Sequence, residues 1–79
     1  MNIHIQYYAL MREQSGRSTE LLDTSAPTPA ALYAELARRY PFTLSQDQLK
    51  VAVNGEFRDW SHALKAGDAV VFIPPVAGG

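Results

Sequence analysis

Residues 67–79 read Gly67-Asp68-Ala69-Val70-Val71-Phe72-Ile73-Pro74-Pro75-Val76-Ala77-Gly78-Gly79. Lys65-Ala66-Gly67-Asp68 is a turn, and the apolar run behind it, 69–73, has the composition of a strand. An edge strand would alternate or carry charge, so a run this apolar belongs inside a sheet, flanked on both sides. Pro74 and Pro75 lack the N–H that a ladder needs; pairing stops there and the chain leaves the sheet extended. The rest of the sequence must supply the two neighbours of this strand and a cover for one face.

Residues 2–9 alternate, with Ile3, Ile5 and Tyr7 on one side and His4, Gln6 and Tyr8 on the other, which predicts a first strand. Residues 10–16 suggest a short helical turn with Gly16 as its C-cap, although a loop is equally compatible. Residues 17–23 predict a weaker second strand, antiparallel to the first. The cover is the segment from Thr28 to Pro41: Thr28 can cap, Pro29 suits the first helical position, and Tyr40-Pro41 stops the helix. Leu32, Leu36 and Tyr40, widened by Tyr33 and Ala37, form its apolar stripe, and Glu35 and Arg39 can pair on the polar side. Residues 49–53 predict a third strand, Asn54-Gly55 a tight turn, and residues 56–60 a brief return.

The expected fold is therefore α+β: a mixed sheet of four or five strands with one long helix, 29–40, packed on one face. The β-grasp arrangement of ubiquitin is the common solution for this order, and it places 69–73 beside the first strand and parallel to it. The expected organisation is one domain, 1–75, followed by a tail, 76–79.

The 79 residues contain no cysteine, which excludes disulfides, thiolate metal sites and a cysteine nucleophile. A net charge of −1 with both signs scattered argues against nucleic acid as the partner. No apolar run approaches the roughly 20 residues that span a bilayer, and the N-terminal segment lacks the features of a signal peptide. A cytoplasmic protein with no membrane partner is the expectation.

The two histidines, His4 and His62, read as surface residues rather than metal ligands. Asp23, Asp47, Asp59 and Asp68 stand where short side chains bond turn backbone. No nucleophile–base pair or phosphate-binding loop stands out, so no cofactor is expected to bind stably. The tail suits a different chemistry. Val76, Ala77, Gly78 and Gly79 are thin enough to enter a narrow channel and present a carboxylate to another protein's active site. Adenylation by ATP would activate that carboxylate, and sulfur or an amine could then displace AMP.

The stretch from Leu64 to Gly79, with Asn54-Gly55, the first strand, Tyr7-Tyr8-Ala9-Leu10-Met11-Arg12-Glu13 and the helix between, resembles the small subunits of molybdopterin synthase. The most specific part is the Gly-Asp turn, the apolar strand, Pro-Pro-Val and the final Gly-Gly. The resemblance implies that an adenylyltransferase like the ubiquitin-activating enzymes adenylates Gly79, and that a sulfur donor converts it to a thiocarboxylate. It further implies a heterotetramer with the large subunit, in which this sulfur attacks cyclic pyranopterin monophosphate to build the dithiolene of molybdopterin. Most catalytic side chains would then belong to the large subunit. A sulfur carrier for thiamine or another thiolated product, and a ubiquitin-like protein modifier, are the alternatives. Independently of the resemblance, Tyr8, Phe57, Val71 and Ile73 make an apolar set on the side of the sheet away from the helix, which marks a partner interface.

Overall fold

Alternation in the first strand becomes burial in the computed structural model, which describes residues 1–75. In β1, Asn2–Tyr7, Ile3, Ile5 and Tyr7 are buried while Asn2, His4 and Gln6 are exposed. Helix α1, Ala9–Ser15, follows, and Gly16 closes it in the left-handed conformation, its N–H donating to the Arg12 carbonyl. The stretch left open between helix and loop is thus a helix of seven residues. Strand β2, Thr19–Asp23, returns antiparallel to β1.

Helix α2, Pro29–Ala37, begins as its sequence dictates. The Thr28 hydroxyl accepts from the Ala31 N–H at 3.2 Å, and Pro29 occupies the first turn, where no donor is needed. The helix is shorter than the expected 29–40. The Arg39 N–H turns back to the Leu36 carbonyl at 2.9 Å, three residues away, so 38–40 form a tightened turn ahead of Pro41. Leu32 and Leu36 are fully buried and Tyr33 nearly so, but Ala37 is exposed, which narrows the stripe by one position. Arg39 and Glu35 pair at 3.5 Å on the outer side.

A short 3₁₀ turn, Gln46–Gln48, leads into β3, Lys50–Val53, and the Asn54-Gly55 turn into β4, Glu56–Arg58. Asn54 and Gly55 both have positive φ, as a tight hairpin turn of this type requires. Strand β5, Ala69–Ile73, completes a five-stranded sheet in the order β2-β1-β5-β3-β4. The expectation for 69–73 holds: β5 is central, parallel to β1 with Ile5 opposite Val70, and antiparallel to β3 with Val51 opposite Phe72. Val70 and Phe72 are fully buried beneath the helix side, and Phe72 stacks on Trp60 with centroids 5.8 Å apart.

One polar device ties the two layers together. Glu20, on β2, accepts the Tyr7 hydroxyl at 2.8 Å and the Tyr40 hydroxyl at 2.9 Å on one carboxylate oxygen. Arg17 approaches the other oxygen at 3.5 Å. Burial, followed by the hydrogen bond to Glu20 and its negative charge, pushes the Tyr7 phenol well above its ordinary range and raises that of Tyr40. Burial does the same to Tyr33, whose hydroxyl donates to the Leu44 carbonyl at 2.6 Å.

Candidate docking face and tail root

The face of the sheet opposite α2 is built by cross-strand register. Val71 of β5 stands between Gln6 of β1 and Ala52 of β3, and Ala52 stands opposite Phe57 of β4. Directly opposite residues share a face, so Val71, Ala52 and Phe57 form one row across three strands. Ile73 lies on the same face, two residues along β5, opposite Lys50. Val71 and Ile73 are half-buried, and Phe57 is 68% exposed.

Beyond Ile73 come Pro74, half-buried, and Pro75, exposed and outside any strand. Ile73, Pro74 and Pro75 form a ridge with a hollow on each flank. On one flank Tyr8, Ala9, Leu10 and Leu44 face Ile73, Pro74 and Pro75 across a groove of about 640 Å³. Its lining is side-chain carbon almost throughout, and Tyr8, 48% exposed, is its most prominent ring. On the other flank Phe57 and Leu49, with the polar Asp47, Gln48 and Lys50, face the same Ile73–Pro75 segment, so this second hollow is of mixed character.

Of the four interface residues expected from the sequence, Phe57, Val71 and Ile73 share the face opposite α2 by register, while Tyr8, one residue past the end of β1, meets Ile73 across the groove and shares no hollow with Phe57. Ile73 borders both, and Val71 lies further back in the Phe57 row. Sequence reasoning missed Ala9, Leu10 and Leu44 as lining residues. Leu44 sits in an irregular segment where no period identifies a face. Leu10 belonged to a stretch whose structure was open, and nothing in the sequence marks the unusual backbone of Ala9. Val76, Ala77, Gly78 and Gly79, the residues expected to carry the chemistry, lie outside the described residues.

The opposite end of the sheet is organised by turns. Asp68 accepts from the Lys65 N–H at 2.8 Å and from the Asn54 side chain at 3.0 Å. These bonds, the Lys65 N–H first, hold its carboxyl below the usual carboxylate range. Among the described residues no three His, Cys, Asp or Glu side chains converge as a metal ion would require. No helix of the described residues is long and apolar enough to cross a membrane.

Comparison with known proteins agrees with this fold. The model of the ThiS family matches residues 5–79. The molybdopterin synthase sulfur carrier subunit of Escherichia coli (strain K12) is 34% identical over 80 aligned positions, covering 98% of this chain and 99% of that protein. Among solved structures, a putative molybdopterin converting factor subunit 1 from Pyrococcus furiosus superposes with a TM-score of 0.81 at 27% identity, covering 96% of this chain and 99% of that one. SAMP1 from Haloferax volcanii superposes with a TM-score of 0.82 at 25% identity, covering both chains completely.

Proposed function

This chain belongs to the ThiS family, and on that premise we propose that it is the sulfur-carrier subunit of a molybdopterin synthase. The observation that carries the proposal is the end-to-end match to a protein of that role at 34% identity. The fold supports it, because the strand leading to the tail is the central one and its last residues lie between two hollows, one of them apolar. A partner can grip that face while it takes in the tail.

The chemistry assigned to the chain is acyl transfer at Gly79. A carboxylate oxygen attacks the α-phosphorus of ATP, forming an acyl adenylate and releasing pyrophosphate. Sulfur from a persulfide donor then attacks the carbonyl carbon and AMP departs; reduction of the remaining sulfur–sulfur bond by a thiol leaves a thiocarboxylate. A partner resembling ubiquitin-activating enzymes supplies the adenylation site. The large subunit then receives the tail, and the sulfur attacks an oxygen-bearing carbon of cyclic pyranopterin monophosphate: a carbon–sulfur bond forms, a carbon–oxygen bond breaks, and the oxygen leaves with a proton. Water finally cleaves the acyl–sulfur bond, leaving sulfur on the pterin and regenerating the carboxylate. The domain, residues 1–75, provides docking, while Val76, Ala77 and Gly78 provide reach and thinness. The cytoplasm is the compartment assigned, and a tetramer of two small and two large subunits the assembly.

Intact mass after co-expression with the activating enzyme tests the reading. Exchange of one oxygen for sulfur at Gly79 adds about 16 Da. A carrier that never gains this mass, or that forms a ladder of lysine conjugates instead, overturns the assignment.

A further inference from the structure

Among the described residues only Ala9 and Asn54 are non-glycine residues with positive φ. Asn54 belongs to a residue type that visits the left-handed region routinely, and it sits in a hairpin turn. Ala9 has neither excuse. At φ +48° its Cβ is crowded against its own backbone, and no side-chain hydrogen bond repays the strain. Strained backbone held in place by its surroundings concentrates at sites of function, and the inference runs from the outlier to the role.

The surroundings of Ala9 are specific. It follows Tyr8, whose carbonyl accepts from the N–H groups of Met11 at 3.0 Å and Arg12 at 3.3 Å, anchoring the first turn of α1. Met11 is fully buried, so the turn is pinned to the core from one side. Ala9 itself is exposed and lines the groove opposite Ile73 and Pro75.

We propose that Ala9 is a positioning residue for docking of the large subunit. Its left-handed turn sets Tyr8 and Leu10 on one wall of the groove, and its single methyl leaves the space open to an apolar side chain of that partner. The occupant follows from continuity and apolarity: one wall is Ile73–Pro75, the segment that leads into residues 76–79, so a protein that takes in those residues meets this ridge, and of the two hollows beside it this is the apolar one. The apolar lining makes the inserted group apolar as well. The inference rests on the sulfur-carrier reading.

Ala9→Gly and Ala9→Asn, made in the full chain, test it, because both residues accept left-handed backbone. Each variant is expected to keep or raise the wild-type Tm. Affinity for the purified large subunit should stay within about 3-fold for Ala9→Gly, which leaves the groove open. It should fall about 10-fold or more for Ala9→Asn, whose amide is left unpaired among apolar groups. With thiocarboxylated carrier, Ala9→Asn should raise KM for the carrier and leave kcat unchanged at saturation. A Tm loss beyond about 5 °C in either variant overturns the strained turn. Wild-type affinity of Ala9→Asn, or a fall in kcat at unchanged KM, overturns the docking role. If wild-type carrier fails to assemble with the large subunit, the functional reading falls and this inference with it. If wild type and Ala9→Asn assemble equally, this inference falls alone.

Discussion

Tyr8 and Phe57 stand on opposite flanks of Ile73, Tyr8 in an apolar groove and Phe57 in a hollow it shares with Asp47, Gln48 and Lys50. The consequence is a division of the docking face into two halves that share one ridge. A partner that covers only one hollow leaves the other ring in water, and a partner that covers both must straddle Ile73. Substitutions can tell these apart.

Ile73→Asp should weaken assembly with the large subunit by at least about 10-fold and leave the monomer folded. Fully burying one large apolar side chain is worth roughly 1.5–3 kcal/mol, and a carboxylate on the ridge forfeits that in both hollows. Ile73 is only half-buried in the free chain, so its loss is tolerated there. Co-purification at wild-type yield would show the ridge to be ordinary surface.

Phe57→Ala and Tyr8→Ala separate the flanks. Phe57 is 68% exposed, so removing its ring should change monomer stability by no more than about 0.5 kcal/mol. Straddling predicts that each truncation weakens binding of the large subunit, by calorimetry, by several-fold. A loss confined to Tyr8→Ala would restrict docking to the groove beside Ala9.

Glu20→Ala should destabilise the fold by about 2–3 kcal/mol, because it strands two phenols that were bonded to one carboxylate. Tyr7 is 1% exposed and cannot turn to water for a replacement partner. Glu20→Gln keeps an acceptor oxygen and should lose less. Urea unfolding of both variants checks the order, and equal stabilities would discount the carboxylate.

Alkaline pH should unfold this protein through its tyrosines. Tyr7, Tyr33 and Tyr40 are raised in the folded chain above the unfolded value near 10. A raised folded value means stabilisation that is complete below about pH 10 and is lost as pH climbs through the folded values. Ultraviolet titration should therefore show Tyr7, Tyr33 and Tyr40 ionising above the free-tyrosine range, with Tyr7 shifted furthest. Tyr7→Phe should flatten the alkaline limb of stability, and an unchanged limb would remove Tyr7 from the account.

Extension beyond Gly79 should abolish sulfur loading while an N-terminal tag is tolerated, because an extended chain presents an amide there, which ATP cannot adenylate. Deleting Gly79 keeps a carboxylate but withdraws it by roughly 3.5 Å, and misplacement by ~1 Å can cost ~100-fold in rate. Normal large-subunit binding with almost no sulfur transfer is the expected phenotype of the deletion. Full activity from an uncleaved C-terminal extension would falsify the role of Gly79.

Which features the sequence settled by itself follows from how far each interaction reaches along the chain. Alternation in β1, the Thr28-Pro29 helix start, the Asn54-Gly55 turn and the apolar run of β5 all depend on neighbours within a few residues, and each is legible as written. The central, parallel placement of β5 follows nearly as directly, since a strand this apolar has to be covered on both sides. The end of α2 did not follow, because the choice between a further α-turn and a tightened one at 38–40 depends on how the chain leaves toward Pro41. Only the tertiary structure brings Leu44, from an irregular segment, to the same groove as Tyr8, and only it separates Tyr8 from Phe57 across Ile73. The left-handed turn at Ala9 lies furthest from what residue types reveal. Alanine prefers ordinary helical backbone, and the surrounding packing, with Met11 buried on one side and the groove open on the other, outweighs that local preference.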